Sequence, residues 1–420
     1  HAPPEERHVP RTPAPRVRGG FARPRAAAAK QRLQSATFLV PTGRDATAHA
    51  GAVAEGAGLA LYRFDELKSK RKPARLRKLE IAPESGSVAG LQKAIKRAEV
   101  LVDAVAFTRD LGNLPANIAT PTYLARRARQ LSGKGMTVRV HDRAAITRMR
   151  MGAFAAVAQG SATPPRLIEL RYRGGGPRKP TIALVGKGVT FDTGGISIKP
   201  ASKMEDMKFD MCGAGAVLGT MMAVRALQPK INVHAVVPAA DNMPGGKAYR
   251  PGDIVTARNK KTIEVINTDA EGRLLLCDAL AYAAEKKPDC VIDIATLTGA
   301  CVVALADVAS GLFSNDDTLR GQLESAGQAT GELAWPLPLH PKYGKMMKSV
   351  YADLKNSGGR WGGACTAAAF LQNFVSDLPW AHIDIAGMAW TEKNQGYHTR
   401  GATGYGVRLL LEFLEKRAEA

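Results

Sequence analysis

The run Thr181-Ile182-Ala183-Leu184-Val185, closed by Gly186, constrains the fold of this chain more than any other stretch. A strand with one wet face alternates polar and apolar residues. An unbroken apolar run ending in glycine marks a strand covered on both faces, as in parallel sheets. Further strands are expected at 231–237 and 290–294, where polar residues interrupt the apolar ones, and helical periodicity fills the stretches 207–227 and 270–285. Parallel neighbours need a crossover, which a helix supplies. The order strand, helix, strand, helix therefore predicts an α/β domain with a mainly parallel central sheet flanked by helices. In such sheets ligands bind outside the carboxyl ends of the strands.

A chain of 420 residues, 45% of them hydrophobic, has room for two domains and a large core, which excludes disorder as the main state. No window approaches 18 uninterrupted apolar residues, so no membrane partner is expected. No charged start leads into a secretory core, so the expected compartment is the cytoplasm. The five cysteines (Cys212, Cys277, Cys290, Cys301, Cys365) are scattered without a CxxC pair. They argue against a disulfide framework and a thiolate zinc site.

The formal net charge of +21 is unevenly placed: residues 1–150 carry 29 Lys and Arg against 12 Asp and Glu, and the remainder 30 against 26. Any basic partner-binding surface belongs to the first part. Residues 1–30, rich in Pro, Arg and Ala, cannot bury a core and are expected to form a disordered arm. Residues 31–110 alternate strand-like and helical stretches, including a strand at 36–40 and a helix at 91–110, and suggest a smaller, shortened α/β N-terminal domain. The turn cluster Asn113-Leu114-Pro115-Ala116-Asn117 marks the passage to the larger C-terminal domain, taken as 111–420. Between Lys68 and Lys78 lie seven basic residues in eleven. With no aromatic interleaved for base stacking, the run reads as an exposed loop in preference to a nucleic-acid contact.

Two polar constellations can carry chemistry. Asn267-Thr268-Asp269-Ala270-Glu271-Gly272-Arg273-Leu274 follows the β-prone run 262–266 and sets carboxylates two residues apart beside an arginine. Leaving a strand end, such carboxylates can face one crevice; the alternative is a solvated turn before a helix. Val185-Gly186-Lys187-Gly188-Val189-Thr190-Phe191-Asp192-Thr193-Gly194-Gly195-Ile196-Ser197-Ile198-Lys199-Pro200 leaves the buried strand as a glycine-rich loop, but the Walker and GxGxxG spacings are absent. Were Asp192, Asp210, Asp269 and Glu271 to converge, they could not all ionise without cations. Divalent metals on oxygen ligands meet that need. Lys187 and Lys199 bracket the loop and could serve as an amine ligand and an electrophilic clamp, while Arg273 suits an anion. The eight histidines form neither HxxE nor HExxH, which disfavours a mononuclear zincin.

The loop VGKGVTFDTGGISIKP and the octamer NTDAEGRL closely resemble the two signatures of the leucyl aminopeptidase, or cytosol aminopeptidase, family of dinuclear metallo-exopeptidases. The resemblance runs from about residue 110 to the C-terminus, through Asp241-Asn242-Met243-Pro244 and Tyr249-Arg250-Pro251-Gly252-Asp253. It implies a C-terminal catalytic domain, a smaller N-terminal domain and a homohexamer. It also implies two divalent ions per subunit, Mn or Zn, held by Lys187, Asp192, Asp210, Asp269 and Glu271, with Asp192 and Glu271 bridging. Lys199 would polarise the scissile carbonyl. Arg273 would hold a bicarbonate acting as general base towards a metal-bridging hydroxide. Met207, Thr296, Leu297 and Gly299 match substrate-binding positions, although Met207 and Thr296 also suit plain packing. Thr193 stands where serine is common and Gly215 where alanine is common. By the same resemblance, about eighty residues of the usual N-terminal domain are expected to be missing at the front or replaced by the Arg/Pro arm.

The sequence thus predicts a metal-dependent aminopeptidase that releases N-terminal, preferably leucine-like, residues from short peptides. The alternative is an additional DNA-binding or architectural role through the basic N-terminal region, which would show a steep salt dependence. A catalytically dead scaffold would carry substitutions among the seven charged positions, and there are none.

Overall fold

A computed structural model describes residues 34–419 apart from 42, 44, 72–75, 77 and 87. The expected arm at 1–30 and part of the basic run from Lys68 to Lys78 lie outside the described residues. In chain order the strands are β1 (Ser35–Val40), β2 (Lys78–Pro83), β3 (Met136–His141), β4 (Arg166–Arg173), β5 (Thr181–Gly186), β6 (Gly188–Asp192), β7 (Asn232–Asn242) and β8 (Ile254–Thr256). There follow β9 (Thr262–Glu264), β10 (Cys290–Ala295), β11 (Ser310–Ser314), β12 (Ala334–Pro336), β13 (Leu354–Lys355), β14 (Trp380–Asp384), β15 (Trp390–Thr391) and β16 (Gly401–Ala402).

The central sheet runs β12-β11-β14-β10-β5-β7-β4-β3, with β6 also paired to β7. Its middle, β14-β10-β5-β7, is parallel, and antiparallel pairs flank it at β11-β14, β7-β4 and β4-β3. The run that opened the sequence reading is β5, and both its faces are covered. Ile182 and Leu184 enter one core cluster, while Ala183 and Val185 enter the other on the opposite face. Successive side chains of a strand alternate in this way. Pairing to β10 and β7 covers both edges, and the two core clusters cover both faces.

Helix Cys212–Leu227 crosses one face, and its first turns are nearly all Gly and Ala for a steric reason. A Cβ at Gly213 would collide with the Ile294 carbonyl, and one at Gly186 would lie 2.6 Å from the Gly213 carbonyl. Helix and sheet backbones therefore nearly touch beneath the site. Helix Gly272–Ala284 lies in the core of the other face and is buried along its whole length.

The N-terminal elements are the parallel pair β1-β2, helix Ala46–Leu61 and helix Leu91–Asn113. The last of these shares its core with the main domain: Thr108 donates to the Gly215 carbonyl at 2.9 Å, and Leu101, Val105 and Leu111 join the cluster formed by Cys212–Leu227. The sequence expected it to end at 110, but it continues to Asn113, whose side chain accepts from Ala402 N. The run 262–266 is only a short strand in a separate three-stranded sheet, β13-β9-β8. No helix among the described residues is long and apolar enough to cross a membrane.

Candidate metal centre

Lys187 sits where the chain steps from β5 to β6 along the edge of β7. Its N–H donates to the Ile294 carbonyl on β10 at 3.1 Å, and its carbonyl accepts from Ala214 N at 2.8 Å. Sheet and helix together fix this residue. Its side chain passes over Gly272, where a Cβ would lie 2.7 Å from Nζ. The ammonium then reaches Asp210 Oδ1 at 2.8 Å, Glu271 Oε1 at 2.9 Å and the Thr296 carbonyl at 2.7 Å.

The four carboxylates arrive from three places. Asp192 ends β6; Asp269 and Glu271 lie in the turn leading to helix Gly272–Ala284, with Glu271 at its N-cap, where a negative charge is favoured. Asp210 falls near the start of the helical stretch expected at 207–227; it lies instead in the 3₁₀ segment Met204–Met211, directly before Cys212–Leu227. Carboxylate oxygens of Asp192, Asp269 and Glu271 all lie within 4.8 Å of one another. Lys199 Nζ bridges Asp192 Oδ2 at 2.9 Å and Asp269 Oδ1. The two lysines thus offset only part of the charge of four carboxylates, whose mutual repulsion is severe.

Burial raises the Asp210 carboxyl well above its usual range against the opposing Lys187 charge; burial and Glu271 raise Asp192, and burial and Asp192 raise Asp269. Burial works against the charge on Lys187 and Lys199, yet the surrounding carboxylates outweigh it and hold both ammoniums above their ordinary values. Asp210 Oδ2 is buried without a hydrogen-bond partner, and Glu271 Oε1 and Asp269 Oδ1 meet only lysine at ion-pair distance. Unfilled acceptor positions on hard oxygen donors, beside one amine, fit divalent cations.

A cleft of 590 Å³ opens over this cluster. Met207, Thr296, Leu297 and Gly299 line it, together with Lys187, Lys199, Asp192, Asp210, Asp269 and Glu271. Thr296 Oγ1 also donates to Asp210 Oδ1 at 2.8 Å, so its hydroxyl has a place in the site beyond packing. Arg273 stands apart from the cleft lining: its guanidinium is buried and donates to the Asn356 carbonyl at 2.9 Å, with Nε unpartnered. Burial lowers its pKa to about 10, partly offset by Glu271 and Asp384. Thr193 donates to the Asn242 carbonyl at 2.8 Å, a bond that a serine hydroxyl would make equally.

Several residues without a role in the sequence reading hold the two loops together. Asn242 Nδ2 donates to Asp192 Oδ1 at 2.8 Å and to the Thr268 carbonyl at 3.0 Å, tying one loop to the other. Thr268 Oγ1 donates to the Gly194 carbonyl at 2.6 Å and accepts from Ser197 N at 2.8 Å. Asn356 Oδ1 accepts from Ile266 N at 2.7 Å, and its Nδ2 donates to the Asn267 carbonyl at 2.7 Å, clamping the start of the octamer. Asn242 stood in a recognisable motif, but no local signal singles out Asn356. Asp384, fully buried on β14, accepts from Thr298 Oγ1 at 2.7 Å and from Leu297 N at 3.2 Å, fixing the cleft wall.

Residues 106–411 match the Cytosol aminopeptidase family, catalytic domain, and residues 14–71 match the Cytosol aminopeptidase family, N-terminal domain. A probable cytosol aminopeptidase of Syntrophotalea carbinolica is 50% identical over 395 residues, which cover 92% of this chain and 80% of that protein. One of Burkholderia lata is 51% identical over 85% of this chain and 71% of its own length. Among solved structures, the bottromycin maturation enzyme BotP in complex with Mn superposes with a TM-score of 0.88 at 36% identity, covering 96% of this chain and 88% of BotP. A mutant of tomato leucine aminopeptidase gives 0.87 at 36% identity, covering 98% of this chain and 80% of its own. The catalytic match spans every carboxylate and lysine of the cluster, whose donor set suits divalent metal; the chain belongs to the cytosol aminopeptidase family and is a metal-dependent hydrolase of the leucyl aminopeptidase type.

Proposed function

We propose that this aminopeptidase binds two divalent ions, Mn or Zn, through Lys187, Asp192, Asp210, Asp269 and Glu271, and removes leucine-like residues from the N-termini of short peptides. The observation that carries this reading is the packing of three carboxylates within 4.8 Å, with Asp210 and Lys187 alongside, at the floor of the cleft. Bound divalent ions supply Lewis-acid polarisation of a carbonyl and acidify water at neutral pH. The chain's residues do the rest. Met207, Thr296 and Gly299 shape the pocket for the first side chain, and Leu297 offers its backbone carbonyl. Lys199, which lines the cleft beside Asp192 and Asp269, would offer its ammonium to the developing oxyanion. Arg273 is proposed to hold a bicarbonate that takes the proton from the attacking water; its unpartnered Nε supports an anion role. A cytoplasmic homohexamer is proposed with it, supported by the largely exposed apolar side chains Val350, Tyr351 and Trp361.

Leucine-anilide turnover, measured before and after chelation and after adding back Mn or Zn, tests the proposal. Loss on chelation with recovery on metal return is expected, with leucine preferred over aspartyl and lysyl anilides. No activity at any metal concentration would overturn it. A second reading, duplex binding through the basic N-terminal region, is supported by the charge of residues 1–150. A steep fall of duplex affinity with salt is its signature.

A further inference from the structure

A second, larger cavity of 1590 Å³ adjoins the catalytic cleft. The two share Asp206, Phe209, Trp390, Thr391, Glu392 and Lys393 in their walls. Phe209 and Trp390 stack at 5.2 Å with an interplanar angle of 9°, forming a flat sill between them. The far wall of the larger cavity comes from the N-terminal part, between Tyr62 and Lys70.

We propose that this annex receives the downstream part of the peptide and selects for acidic residues there, including the C-terminal carboxylate. The inference rests on the aminopeptidase reading of the neighbouring cleft. An enzyme that fixes the first residue over a metal cluster must send the remaining chain out past the cleft wall. The shared sill leads into the annex.

Charge names the cargo. Seven Lys and Arg side chains line the annex against four acids, Asp65, Glu205, Asp206 and Glu392. Glu392 is already paired with Lys203 at 2.6 Å. Lys68, Lys70, Lys393 and Arg400 line the cavity without an ion pair among the described residues. Cations facing one concave space attract carboxylates and repel basic tails. Backbone amides of an extended peptide can bond across such a surface whatever its sequence, so the side-chain charges set the preference.

The wall is built, not floppy. Residues 392–400 form the loop of the β15-β16 hairpin, which two buried arginines hold from behind. Arg109 donates to Thr399 Oγ1 at 2.7 Å and to the Ala402 carbonyl at 2.9 Å. Arg408 donates to Tyr397 Oη at 2.6 Å. Lys393, Arg400 and the sill are thereby presented on a fixed frame, which lowers the ordering cost of binding a tail.

The test is a ratio measured within one enzyme preparation: kcat/KM for Leu-Ala-Ala-Asp-Ala-Asp over that for Leu-Ala-Ala-Lys-Ala-Lys. Exposed pairs are each weak, and a few acting together predict a ratio of about five to ten in the metal-loaded enzyme at low salt. The ratio should fall towards one in about 0.5 M salt, where screening is short-ranged. It should invert in the triple variant Lys68→Glu, Lys70→Glu, Arg400→Glu. Because each value is an internal ratio, a general loss of activity in the variant does not move it. A ratio near one in the unmutated protein, or an unchanged ratio in the variant, overturns the annex. Leucine anilide has no tail to place there. Failure to cleave it is failure of the aminopeptidase reading itself, whereas cleavage with no tail discrimination sinks the annex alone.

Discussion

Lys187 Nζ stands 2.8 Å from Asp210 Oδ1 while the second oxygen of that carboxylate is buried without a partner. Lysine neutralises this acid from one side only. A buried charge half satisfied in this way is costly unless a cation completes it, so the pair describes a site shaped for one more positive charge.

Replacing Glu271 by Gln keeps the shape of the side chain and removes its charge from the cluster. Leucine-anilide turnover should drop by at least ~10²-fold, with circular dichroism unchanged. Lys199→Ala should show a comparable loss with metal affinity kept, as equilibrium dialysis would reveal. Full activity in either variant would contradict the assignment.

Gly272 is required by steric fit. Its missing Cβ is the space through which Lys187 reaches the carboxylates, so Gly272→Ala should displace that lysine and weaken metal binding. Gly272 opens its helix without a positive φ, so the backbone accommodates alanine, and the loss should appear in metal affinity more than in thermal stability. Metal titration followed by calorimetry separates the two.

His398 is partly buried beside two arginines, Arg408 and Arg109. Burial first, then those charges, lower its pKa from 6.5 to about 3. The unfolded chain takes up a proton near 6.5 that the folded chain refuses. His398 therefore adds stability that is present above pH 6.5 and lost as pH falls towards 3. Between about pH 7.5 and pH 5 the unfolding free energy of the wild type from urea titration should fall more than that of His398→Gln, by about 1–2 kcal/mol. Equal slopes would refute this.

Arg408 ties three elements together. It donates to Glu55 at 3.1 Å, to Glu332 at 3.1 Å and to the Thr330 carbonyl at 2.9 Å, and all three charged groups are buried. Glu332 in turn accepts from Gly406 N and Leu409 N at the start of the last helix. Arg408→Ala deprives two buried carboxylates of their shared counter-charge and should cost about 3–5 kcal/mol in chemical denaturation. A loss under 1 kcal/mol would show that Glu55 and Glu332 find other partners.

Much of this was legible because it was local. The bare run at 181–185 announced a strand with two covered faces, and the glycine-rich loop and acidic octamer announced the cluster through residue type and spacing. Element ends were less legible. The helical stretch read from 207 splits into a 3₁₀ segment and a helix starting at Cys212, and Asp210 meets Lys187 from the 3₁₀ segment. Residues acting over long separations left no trace in the sequence. Arg408 meets Glu55 across 353 positions, and Asn356 meets Asn267 across 89, each an ordinary residue in an ordinary context.

The backbone of Lys187 is hydrogen-bonded at once to a central strand and to the helix that crosses it. Prising the lysine loose would mean separating that strand from that helix, which is the loss of the core itself. Heat should therefore abolish catalysis and melt the protein in a single step, with no interval of intact but idle enzyme. Whatever movement turnover demands falls to the loops above the cleft, leaving its floor still.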